Sequence, residues 1–138
     1  MSHDNVEVVR GIYAEWGKGN FRAGTDLFDS DVVLVIRAEF PDAGAYVGPD
    51  EIRGYMRQFL SSWTDAVIEA EDIFGADDRV AVAVHQQAIG SGSGLSVDMR
   101  YWQVWTFRGS AVTRIESIKT RSEVLDAVGL SEAPETGS

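Results

Sequence analysis

Cysteine is absent from this 138-residue chain, which excludes a disulfide framework, a thiolate nucleophile and a cysteine metal site. Histidine is nearly as scarce. His3 and His85 are the only imidazoles, and a zinc or iron site wants clustered His or Cys ligands that are not here, so neither metal nor cofactor is expected. Positive charge is also short: 12 Lys and Arg face 22 Asp and Glu, for a formal charge of −10. That balance argues against nucleic acid, whose phosphates need a basic footprint, and against anionic membrane surfaces. No apolar run approaches the roughly 18 residues of a membrane span, and Met1-Ser2-His3-Asp4 lacks the basic-then-apolar pattern of a leader. A cytoplasmic location is expected, with a small molecule or another protein as partner.

What is present is a globular composition, 44% hydrophobic over a length typical of one domain. The most informative segment is Pro49 to Trp63. Ile52, Tyr55, Met56, Phe59, Leu60 and Trp63 recur there at helical spacing, a broad apolar stripe in which Tyr55 and Trp63 carry polar handles. Such a face can line a pocket as well as fill a core. Pro49 opens the helix where its missing N–H costs nothing, and Asp50 and Glu51 suit the dipole of the first turn.

Upstream, Asp4 with Glu7 reads as a capping box for a first helix carrying Val6, Val9, Tyr13 and Trp16 and stopping near Gly17 and Gly19. Asn20 caps a predicted second, shorter helix with Phe21, Leu27 and Phe28, ending at Asp29-Ser30-Asp31. Val32 to Ile36 is a β-branched strand run, and Tyr46-Val47 a short extended piece. After Trp63 the pattern turns to strands over 66–74, 80–89, 95–107 and 111–118, with breaks short enough for hairpins. The break at Gly90 to Gly94 reads as a hairpin tip rather than a phosphate cradle, since no helix follows it. A weak helix over 122–130 and a disordered tail over 131–138 complete the chain.

Helices, a strand, Tyr46-Val47-Gly48-Pro49-Asp50-Glu51-Ile52, a meander containing Val104-Trp105-Thr106-Phe107, and Leu125-Asp126-Ala127-Val128-Gly129-Leu130 follow in that order. With Val8-Val9-Arg10 and Leu27-Phe28-Asp29-Ser30-Asp31-Val32, they make the chain resemble the nuclear transport factor 2-like superfamily, in its SnoaL-like, polyketide-cyclase-like branch. The resemblance covers 4–130 and implies an α+β cone of the cystatin-like kind. In it, a strongly curved, mostly antiparallel sheet and three N-terminal helices enclose an apolar pocket. Ketosteroid isomerases, polyketide cyclases, epoxide hydrolases, dehydratases and non-catalytic binding proteins share this fold, so function has to be argued from the cavity.

Measured against the isomerase pattern of a carboxylate base, a tyrosine and a protonated aspartate, the resemblance puts Ile36 at the base, Trp16 at the tyrosine and Gln103 at the acid. The proton-abstracting group is missing. The epoxide hydrolase set would need a carboxylate near the last strand, where Ser117 stands. Strand parity places Tyr101, Gln103, Trp105 and Phe107 on one face, and the family register turns Val82, Val84 and Gln86 inward. His85 then faces outward unless a β-bulge reverses it, and it is the only central candidate for a catalytic base near neutral pH. Asp98 and Arg100 read as a solvated or interfacial surface pair, with an acid and base pair as the alternative, and Arg37 as an exposed strand end or a cation at the pocket mouth.

The expectation is a small-molecule-binding domain with an apolar, aromatic cavity lined by Trp16, Tyr55, Phe59, Gln86, Tyr101, Gln103 and Trp105. A cyclase or isomerase acting on a polyketide-like or steroid-like carbonyl compound is the alternative, and a non-catalytic dimeric scaffold the second. A homodimer is expected, because strands as apolar as 95–107 and 111–118 have a second face for a two-fold partner.

Overall fold

A computed structural model describes residues 2–20, 22–36, 43–76, 78–90 and 92–127. The elements run α1 (Ser2–Gly17), a 3-10 turn (Thr25–Leu27), β1 (Phe28–Ile36), β2 (Gly44–Val47), α2 (Pro49–Ser62), β3 (Trp63–Ala76), β4 (Arg79–Gly90), β5 (Ser96–Arg108), β6 (Ala111–Ile118) and α3 (Arg121–Ala127). The strands form one curled six-stranded sheet in the order β2-β1-β6-β5-β4-β3. Only the β1–β6 pair is parallel among the described residues. The α+β cone with a mostly antiparallel sheet is therefore the observed architecture.

Three local expectations need correction. Asp4 lies inside the first turn of α1, which begins at Ser2. The predicted second helix is reduced to the 3-10 turn, and Phe28 starts β1 instead of ending a helix. Gly24 explains the sharpness of that turn: its φ is 92°, and a Cβ there would come within 2.8 Å of Ile12 Cδ1, so the chain presses on α1 as only glycine allows. Phe21, Arg37 and the tail over 131–138 lie outside the described residues.

The start of α2 is tied to the sheet from two sides. Gly48, at φ 87°, donates its N–H to the Val32 carbonyl at 2.7 Å, and the Val47 N–H donates to Glu51 Oε1 at 2.7 Å. These bonds fix the angle at which the helix leaves β2. Register shifts on β3 between Thr64 and Val67 and between Ala70 and Asp72 mark bulges, devices that bend a strand. Asp65 sits within the first of them at φ 54°.

One face of the sheet packs Val82, Val84, Trp105, Phe107 and Ile115 against Val9, Ile12 and Tyr13 of α1 and Ile52 of α2. Full burial of each such aliphatic side chain contributes about 1.5–3 kcal/mol. The opposite face is partly covered too. Ala81, Val104 and Ile118 bury Val124 of α3, whose start is capped by Thr120, with the Glu123 N–H donating to Thr120 Oγ1 at 3.3 Å. The convex face is thus not left to a partner alone, as the apolar strands had suggested.

Candidate functional site

The apolar stripe of α2 is the starting point, since Ile52 is its only buried residue. Tyr55, Met56, Phe59 and Leu60 stay half-buried, although Tyr55 and Phe59 pack against the core of the sheet. They border a concave space of about 1110 Å³ between α2, the turn after α1 and the inner face of the sheet. Aromatic rings follow one another along this wall. The Tyr46 and Tyr55 centroids are 4.8 Å apart, Tyr55 and Phe59 6.4 Å, and Phe59 and Trp63 6.4 Å.

The sheet contributes the polar atoms. Tyr101 donates its hydroxyl to Gln86 Oε1 at 2.8 Å. Gln86 is buried, lines the space, and its amide nitrogen has no acceptor among the described residues. Gln103 joins a chain of hydrogen bonds: Trp105 Nε1 donates to the Tyr13 hydroxyl at 3.2 Å, Tyr13 donates to Gln103 Oε1, and Gln103 Nε2 donates to Ser117 Oγ at 3.4 Å. Burial pushes the Tyr13 phenol well above its ordinary range; the Trp105 N–H opposes this and neighbouring Tyr101 adds to it.

Six of the seven residues expected from the sequence, Trp16, Tyr55, Phe59, Gln86, Tyr101 and Gln103, lie around this space. Trp105 does not. It shares the inner face with Gln103, but α1 covers its end of β5, and the ring is fully buried 6.0 Å from Tyr13 and 5.9 Å from Trp16. Ile36, Trp16 and Gln103, paired by resemblance with the isomerase base and oxyanion donors, border the space together. The phenol hydroxyl that reaches Gln103 nevertheless belongs to Tyr13, one helical turn before Trp16. Tyr13 had been legible only as part of an apolar stripe, and Ser117 only as the lack of a carboxylate.

His85 faces the convex side. The β4–β5 register runs unbroken from Arg79 to Ile89, so no bulge turns the ring inward. Its Nε2 lies 2.8 Å from Asp98 Oδ1 and its Nδ1 3.8 Å from Glu71 Oε2, while Arg100 Nε donates to Glu71 at 3.0 Å. The hydrogen bond from His85 holds the Asp98 carboxyl below its usual range. Among the described residues, the wall of the inner space contains no Asp, Glu or His, and no group of His, Asp and Glu is placed to hold a metal.

The cone with its inner space defines a class, that of the ketosteroid isomerase-like fold. The SnoaL-like domain family matches residues 9–115, and the chain belongs to that family. Among solved structures, a nuclear transport factor 2-like protein from Burkholderia thailandensis is similar at a TM-score of 0.75 and 22% identity, over 88% of this chain and 95% of that one. A candidate SnoaL-like polyketide cyclase from Jannaschia gives 0.73 and 17% identity over 96% and 94%. A protein of ketosteroid isomerase-like fold from Catenulispora acidiphila, solved in complex with trimethylamine, gives 0.71 and 21% identity over 90% and 93%. At these identities the likeness establishes the fold alone. No curated protein matches the sequence.

Proposed function

We propose that the chain is a small-molecule-binding domain whose ligand is mostly apolar and flat or cyclic. The observation that carries this is the stripe of α2: a helix face of four aromatic and aliphatic side chains beyond Ile52 is left incompletely buried beside open space. A core helix would have closed on the sheet. Trp16, Tyr55, Phe59 and Tyr101 supply rings for stacking, and the buried Gln86 amide offers N–H donors to a ligand oxygen. The cyclase or isomerase reading lacks a proton-abstracting group among the described lining residues, and His85 is on the wrong face to supply one. A cytoplasmic place, and a partner that is neither nucleic acid nor membrane, belong to the same proposal; among the described residues no helix is long and apolar enough to cross a membrane.

Titration with N-phenyl-1-naphthylamine, a neutral aromatic probe, tests the reading. Saturable binding with quenching of tryptophan emission is expected, and Tyr55→Ala should weaken it roughly three- to tenfold by removing one stacking ring. Absence of saturable binding would end the proposal.

The second reading, two-fold pairing through the convex face, is favoured by Phe74 and Trp102, which stay half-exposed beside α3 with centroids 6.1 Å apart. Next to them lies the Glu71, His85, Asp98 and Arg100 array, a mixture common in non-obligate interfaces. Light scattering at micromolar concentration should give twice the chain mass, and a monomeric mass counts against pairing.

A further inference from the structure

The charged residues around the inner space are Arg22, Arg53 and Arg57, and no acidic residue accompanies them among the described lining. In a chain with 12 basic and 22 acidic residues, a described lining whose charged members are all arginine is against the prevailing sign. All three are exposed, so they stand at the rim, where the space meets solvent, with the aromatic wall behind them. Arg53 and Arg57 are one turn apart on α2, on the same side of the helix. Arg53 is engaged by Asp50, whereas the side chains of Arg22 and Arg57 have no carboxylate partner among the described residues. Two guanidinium groups without a carboxylate partner among the described residues thus border a space whose wall is mostly aromatic and aliphatic, with a few polar atoms on the sheet.

Resting on the proposed binding function, we propose that the ligand is an amphipathic anion: an aromatic or alicyclic body seated against α2 and the sheet, with one acidic head group held at the rim by Arg22 and Arg57. Guanidinium groups suit such a head because they present paired donors to carboxylate or sulfonate oxygens. The negative charge of the rest of the protein repels anions in general. A rim of arginine therefore gives selectivity for acids that can also bury a body, and it guides them to the opening.

Two probes with the same ring system separate the contributions: 8-anilinonaphthalene-1-sulfonate carries an acidic head, and N-phenyl-1-naphthylamine does not. The sulfonate is expected to bind more tightly, and its affinity alone should fall with added salt. Arg22→Gln and Arg57→Gln should each weaken the sulfonate roughly three- to tenfold, a range suited to partly screened charge pairs, while leaving the neutral probe unchanged. Equal affinity of the two probes, or indifference of the sulfonate to both substitutions, would overturn the anionic head while the binding function stands. If neither probe binds, the binding function itself fails and the inference with it. Displacement of the sulfonate by inorganic sulfate alone at millimolar concentration would overturn the requirement for an apolar body.

Discussion

Replacing Trp105 with alanine is expected to lower the unfolding free energy by about 3 to 5 kcal/mol, the cost of emptying a large aromatic site in a closed core. The ring is fully buried and its N–H is donated to Tyr13 at 3.2 Å. Its strand neighbours across the sheet are Val80 and Ile115, both buried, so little can move in to fill the hole. The same substitution at Tyr101, half-buried at the edge of the open space, should cost clearly less. Urea unfolding of both variants measures the contrast, with the midpoint shifting at constant slope if the native fold is kept. A loss at Trp105 no larger than at Tyr101 would mean that Trp105 borders the space and that α1 does not seal it.

That contrast also marks how far the sequence could be read. Period-two alternation grouped Tyr101, Gln103, Trp105 and Phe107 on one face, and the register implied by the family resemblance turned Gln86 inward and left His85 outward unless a bulge intervened, because parity is local and survives wherever the ladder is unbroken. It says nothing about position along the strand. Whether an inward residue meets α1 or open space depends on where a helix from the far end of the chain comes to rest, and Trp105 falls under α1 while Tyr101 does not. The second helix failed for a related reason. Phe28 suits a helix and a strand equally well, and its pairing with Val112 of β6, distant in sequence, decided the matter. The arginine rim was invisible because Arg22 and Arg53 come from separate elements and carry no motif. By contrast, α2 was legible almost to its last residue, having a proline start, an acidic first turn and an unbroken apolar stripe, each a local signal.

Tyr13→Phe is expected to cost about 1 to 3 kcal/mol near neutral pH, out of proportion to the single oxygen removed. In the wild-type chain that oxygen accepts from Trp105 and donates to Gln103. Phenylalanine leaves the buried Trp105 N–H without its acceptor and takes from Gln103 one of its two described partners, and unmet buried polar groups cost more than the bond that is lost. The pH dependence identifies the group. Burial raises the Tyr13 pKa above its ordinary value near 10, so the folded protein holds its proton where the unfolded chain releases it. The stability this confers is fully present below about pH 10 and is lost as pH rises above it, at a rate approaching about 1.4 kcal/mol per pH unit. Phenylalanine has no proton to lose. The gap between wild type and variant, measured by urea unfolding at pH 8 and again at pH 11, should therefore narrow at the higher pH. A gap that is absent at pH 8 would show that the hydroxyl is not bound by its neighbours, and one that stays constant to pH 11 would show that it reaches solvent from the cavity side.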